Sequence, residues 1–164
     1  MFYVDLLEVP HFMQSDDSTC GPACLKMVFA YWGVNKSEKE IALACNHTYE
    51  FGCQGEDMVE AAKTFGFDAY IKNNSTIDDL KYYLSQNIPV IVDWFCGDIP
   101  EGHSSVVIGV DEDKVYILDP YEEDMREVSI SDFVRCWFDF RETPITPNNL
   151  YVAQIMIVVP KDNQ

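Results

Sequence analysis

The sequence predicts an α+β fold, with helices in the first half and an antiparallel sheet in the second. Three observations carry that reading. Residues 20–87 place apolar side chains at helical spacing, broken by caps and glycine stops. Residues 89–160 hold short apolar, β-rich runs separated by turn residues. The chain has 164 residues, 48% of them hydrophobic, enough for one real core. The expected organisation is a single domain over 1–164, with a helical lobe at about 14–87 and a sheet lobe at about 88–160.

The elements follow in order. "CGPACLKMVFAYWG" has apolar residues at 24, 25, 27, 28, 29, 31 and 32, and Gly33 as a stop. Ser37 is placed to cap "EKEIALACN", with Glu40 at the capping-box position. "GEDMVEAAKTFG" is amphipathic and ends on Gly66. Thr76 caps "IDDLKYYLSQN", whose Asp78 and Asp79 suit a helix N-terminus.

In the second half, "PVIVDWF" reads as a buried strand. "HSSVVIGV" and "KVYILDP" flank an Asp-Glu-Asp turn and read as a hairpin. "REVSI" is a short strand, Ser131 caps a short helix through "DFVRCW", and "LYVAQIMIVVP" is a closing strand. The helices are expected to cover one face of the sheet.

Composition excludes several functions. Asp and Glu number 28 against 11 Lys and Arg, a net charge of −17. Such a field repels nucleic acid and anionic membrane. No apolar run reaches the length of a membrane span, and "MFYVDLLEVPHF" lacks the basic start of a signal peptide. A cytoplasmic protein is expected, with its six cysteines mostly reduced. Cys45 and Cys53, with His47 between them, form a loose cluster read as one buried and one loop thiol.

One junction carries chemistry. In "QSDDSTCGPACLKM" a thiol, Cys20, opens a helix, where unpaired N–H groups and the macrodipole favour a thiolate. Gly21 permits close approach of another segment, and Pro22 is tolerated in a first turn. A nucleophilic thiol needs an imidazole base and a group to orient it. The chain has three histidines: His11, His47 and His103. His103 opens a strand, and Asp119 closes its hairpin partner sixteen residues later. If Asp111, Glu112 and Asp113 form the loop, Val110 pairs with Lys114 and Asp119 lies opposite Ser105. His103 and Asp119 are then diagonal neighbours on one face, about 7–8 Å apart at Cα. A turn centred on Asp111 places them directly opposite. Either register lets the carboxylate hold one ring nitrogen and leave the other for the thiol. Gln14, six residues before Cys20, offers a side-chain amide to a developing oxyanion.

Gln14, "CGPACLKM", "GHSSVVIGV" and "VYILDP", in that order, resemble the bacteriocin-processing peptidases, papain-like enzymes that cut leader peptides after a double glycine. The likeness runs over about residues 8–140 and takes in "GEDMVEAAKTFGF", "STIDDLKYYL" and "IPVIVDWF". It implies a papain-like fold with its site in the cleft between the lobes. It also implies Cys20 as nucleophile, His103 as general base and acid, Asp119 as orienting residue and Gln14 as oxyanion donor. Cofactor and metal are not required by that chemistry, and the partner is a peptide or protein substrate. Those peptidases are usually fused to a transporter. With neither membrane spans nor a P-loop in this sequence, a free-standing domain is expected. An acyltransferase passing the thioester to an amine and a non-catalytic peptide-binding module are the alternatives. Cys24, one turn after Cys20, is expected in the core; Cys96 is near the proposed site in sequence, and Asp98 and Glu101 in its loop either shape the entrance or are solvated.

Overall fold

The structure, a computed structural model, describes residues 4–95 and 102–162. Four helices come first: α1 (Cys20–Tyr31), α2 (Glu38–Ala44), α3 (Gly55–Thr64) and α4 (Ile77–Ser85). A strand, β1 (Phe67–Lys72), interrupts them. There follow β2 (Val90–Trp94), β3 (His103–Val110), β4 (Lys114–Leu118), β5 (Arg126–Ser129), α5 (Ile130–Cys136), β6 (Phe138–Phe140), β7 (Leu150–Val152) and β8 (Ile155–Pro160). The main sheet has the order β1-β8-β2-β3-β4-β5, and every pairing in it is antiparallel. β6 and β7 form a separate two-stranded sheet.

The α+β reading holds, and the helix boundaries follow the predicted caps. Ser37 accepts from the Glu40 N–H while Glu40 reaches back, a complete capping box. Thr76 and Asp79 form another. Gly33 and Gly66 end their helices with φ of 85° and 94°, where a side chain would be strained.

Four local readings are corrected. The first half is not all helical: "FDAYIK" alternates buried and exposed side chains and pairs with β8 as an edge strand. "LYVAQIMIVVP" is two strands, because Ala153 turns left-handed with φ 47° and sends β7 and β8 to different sheets. Ser129, not Ser131, caps α5 and accepts from the Asp132 N–H. The helices cover both faces of the main sheet. α1, α2 and α3 bury Leu25, Phe29, Ile41 and Met58 on one face, with Ile91, Val106 and Met156. α4 and α5 bury Leu80 and Phe133 on the other, with Val90, Val92, Val107, Ile117 and Ile155. Cover on both sides is why β2 and β3 are buried along nearly their whole length rather than at alternate residues.

Candidate active site

Cys20 opens α1, as the sequence predicts. Thr19 at the cap makes no side-chain bond to the helix, so the first-turn N–H groups are not taken by a capping side chain. Thr19 instead binds Asp16, whose carboxylate holds Ser18 in a tight turn ahead of the helix. Gly21 has a packing reason: a Cβ there would sit 2.9 Å from Met58 Sδ of α3. Cys24 is fully buried, and burial, the Cys20 charge and nearby carboxylates push its thiol well up.

His103 begins β3 with 4% exposure, and its Nε2 lies 2.5 Å from Asp119 Oδ1. Cys20 lies close enough to the ring to act on its proton affinity. Burial alone would lower the imidazole pKa, but the bond to Asp119, the nearby Cys20 and the charges of both push it up to about 10. Asp119 is fully buried. Burial alone would raise it, yet His103, the Tyr121 N–H and Arg126 together hold its carboxyl below the usual range. The structure therefore brings Cys20, His103 and Asp119 together.

The route to that geometry differs from either predicted register. At the turn, Val110 pairs with Val115, so the strands start one step out of the predicted pairing. A bulge between Val107 and Gly109 absorbs one residue and restores Val106↔Leu118. One step further, Asp119 falls opposite Ser105, diagonal to His103. Without the bulge, Asp119 would oppose Val106 and point to the face away from His103.

Gln14 is anchored by its own N–H to the Pro120 carbonyl, and its Nε2 donates to the Asp16 carbonyl at 2.7 Å. Among the described residues, its Oε1 is the buried side-chain atom without a hydrogen-bond partner. An unmatched buried acceptor costs about 1–3 kcal/mol. His11 reaches the Asp119 carbonyl oxygen through Nε2 at 2.8 Å, fastening the N-terminal segment beside the site. His47 binds the Ser18 hydroxyl at 2.7 Å and stands apart from His103 in role. Cys96, Asp98 and Glu101 lie outside the described residues.

Arg126 was not among the predicted site residues. Its Nη1 donates to Asp119 Oδ2 at 2.9 Å, and its guanidinium lies over the Trp94 ring. It pairs opposite Ile117, one diagonal step from Asp119, so the parity argument that joined His103 to Asp119 reaches it too. A cavity of about 760 Å³ opens beside Cys20. Asp93 and Asp139 line it; burial raises both, and the Asp93 charge helps to push Asp139 up to about 7.

Over residues 6–145 the chain matches the model of the Peptidase_C39 like family. The chain belongs to that family. Among solved structures, the peptidase domain of Streptococcus ComA, a bifunctional ABC transporter of a quorum-sensing pathway, is 23% identical. It covers 94% of this chain and 100% of its own, with a TM-score of 0.74. A double-glycine-motif protease from an AMS/PCAT transporter, in complex with a leader peptide, is 20% identical over 95% of this chain and 94% of its own, at TM-score 0.68. A C39-like peptidase from Bacillus anthracis is 17% identical over 99% and 100%, at TM-score 0.76. At these identities the structures speak for the fold, which is that of C39 papain-like peptidase domains. No curated protein matches the chain. Membership of the C39-like family makes a cysteine peptidase the general reading. Among the described residues, no helix is long and apolar enough to cross a membrane.

Proposed function

We propose that this C39-like chain hydrolyses peptide bonds through Cys20, His103 and Asp119, with Gln14 completing an oxyanion site. The observation that carries the reading is a buried His103 hydrogen-bonded to a buried Asp119, with Cys20 at the start of α1 close enough to raise the proton affinity of the ring. With its proton held to about pH 10, the ring is a cation at neutral pH and the natural counter-ion of a Cys20 thiolate.

The thiolate attacks the scissile carbonyl. The Cys20 N–H and the second Gln14 amide hydrogen, the one not given to Asp16, stabilise the oxyanion. His103 passes its proton to the leaving amine, and the bond breaks to leave an acyl-thioester. His103, now neutral, takes a proton from water, which attacks the thioester and expels Cys20. Asp119 fixes the ring through Nε2, which leaves Nδ1 as the nitrogen for these transfers. By likeness to the double-glycine-motif protease, we propose small residues before the scissile bond and a leader-type peptide as substrate. A reducing, cytoplasmic setting would keep Cys20 as the thiol that the mechanism needs.

The test is cleavage of a peptide with Gly-Gly before the scissile bond, followed by mass spectrometry. Wild type is expected to cut after the second glycine, and Cys20→Ala to leave the peptide whole. Cutting by Cys20→Ala at the wild-type rate overturns the assignment. Added amine captured in the product in place of water would identify an acyltransferase instead.

A further inference from the structure

Two thiols line the cavity beside the start of α1, and a third is buried behind them. Cys20 and Cys53 line the same cavity. Cys53 Cβ is 3.5 Å from where a side chain on Gly21 would begin, so it packs against the turn that carries Cys20. Behind it, Cys45 is fully buried at the C-cap of α2, in the core cluster against which Cys53 packs. The intervening loop is pinched by paired hydrogen bonds between Thr48 and Gly52. All three are free thiols, and hydrolysis uses only the first.

We propose that Cys53 is a resolving thiol that rescues oxidised Cys20 and passes the oxidation to Cys45. The proposal rests on the reading of Cys20 as the activated nucleophile. A peroxide transfers one oxygen to the Cys20 thiolate; its O–O bond breaks, and Cys20 becomes a sulfenic acid. Cys53 sulfur attacks Cys20 sulfur. An S–S bond forms, the S–O bond breaks, and hydroxide leaves as water with the Cys53 proton. Cys45 sulfur then attacks Cys53 sulfur. A Cys45–Cys53 disulfide forms, Cys20 leaves as thiolate, and the Cys45 proton goes to solvent. In sum, two thiols lose two hydrogens, one peroxide is reduced, and the nucleophile is returned. Without the relay, Cys20 is exposed to further oxidation to the irreversible sulfinic acid.

The resting state suits this order. The neighbouring Cys45, burial and the charges of Cys45 and Cys20 hold the Cys53 thiol protonated, so it does not compete with Cys20 as a nucleophile. Conversion of Cys20 to a neutral sulfenic acid removes one of those charges, and the Cys53 proton is carried off by the departing hydroxide as water.

The experiment treats the full chain with one equivalent of hydrogen peroxide to read disulfides and with several equivalents to read sulfinic acid, alkylates the remaining thiols, and maps every cysteine by mass spectrometry. Wild type is expected to show a Cys45–Cys53 disulfide, and Cys45→Ser to accumulate Cys20–Cys53. In Cys53→Ser, Cys20 sulfinic acid is expected at least about tenfold faster. If wild-type Cys20 reaches sulfinic acid as fast as in Cys53→Ser, with Cys53 never linked, the relay is wrong. The wild-type map decides the matter even where a variant folds poorly. Because the readout is mass, a chain that cuts peptides without linking Cys53 sinks the relay alone. Loss of the peptidase reading is seen separately, in the Cys20→Ala cleavage assay.

Discussion

Asp119 Oδ1 accepts from His103 Nε2 at 2.5 Å while Asp119 Oδ2 accepts from Arg126 Nη1 at 2.9 Å. Both oxygens of a sealed carboxylate are thus occupied, and the acid cannot turn without breaking two charged bonds. Asp119→Asn keeps the shape but presents an amide, which favours the wrong tautomer of the ring. In the proposed mechanism kcat falls by about 10²–10⁴ with KM little changed. Steady-state kinetics on the Gly-Gly peptide check this, and an unchanged kcat would remove Asp119 from the machinery.

Arg126 acts through Asp119 and is a positioning residue. Replacement by Met keeps the stem over Trp94 but removes the charge that helps to hold Asp119 below its usual range. Asp119 then protonates more readily. The acid limb of the kcat/KM profile is expected to move to higher pH, with the alkaline limb less affected. Arg126→Lys should restore part of the change, since it returns the charge without the paired fork. A simple loss of folding would instead lower activity at every pH without moving the limb.

The parity of His103 and Asp119 was legible from hairpin geometry, because alternate residues share a face. The bulge between Val107 and Gly109 was not. The turn pairing and the bulge each move the register by one, and the two steps cancel. Gly109 stands at the bulge, and a Cβ there would sit 2.4 Å from Leu6 Cδ2, where the N-terminal segment crosses the strand. That contact is long-range and has no sequence signature. β1 was missed because "GFDAYIK" follows an amphipathic helix without a turn cluster beyond Gly66. The caps, by contrast, depend on residues three apart and were legible.

Gln14 separates an oxyanion role from a structural one. Gln14→Ala removes the amide donor but keeps the backbone bond to Pro120. If the amide faces the oxyanion, kcat drops by about 10²–10³ while KM moves little. Gln14→Glu keeps the size and the unpaired acceptor but removes the N–H, so it should fare no better than Ala. A Glu variant at wild-type rate would show that the side chain serves only the loop.

The His103 charge links the site to stability. Its folded pKa of about 10 lies above the ordinary 6.5. A raised basic group stabilises the fold fully below the unfolded value and loses that contribution as pH rises through the folded one. The window is therefore about pH 6.5 to 10, and each tenfold gain in proton affinity on folding corresponds to about 1.4 kcal/mol. Cys20 supplies part of that gain. In urea unfolding, Cys20→Ala should flatten the decline of wild-type stability across that window, and identical slopes would show that the thiol does not charge-couple to the ring.

Asp139 works in the opposite pH direction from an ordinary carboxylate. Burial and the Asp93 charge push it up to about 7, while its bond from the Phe140 N–H and the Arg141 charge pull only weakly against them. The unfolded chain ionises this group near 3.8 and the folded chain near 7. The folded state therefore holds the proton more tightly, and its advantage is full below about pH 4 and lost as pH rises through 7. Asp139→Asn cannot ionise, so it should lose that downward slope and become more stable than wild type at about pH 8, with little difference at about pH 4. Gly102, just before His103, fixes where the carboxylate sits, since a Cβ there would lie 1.9 Å from Asp139 Oδ1. Gly102→Ala must displace either the Asp139 side chain or the start of β3. Peptide cleavage by Gly102→Ala distinguishes the two: a displaced β3 carries His103 with it and lowers kcat, whereas a displaced carboxylate changes the pH slope of stability and spares kcat.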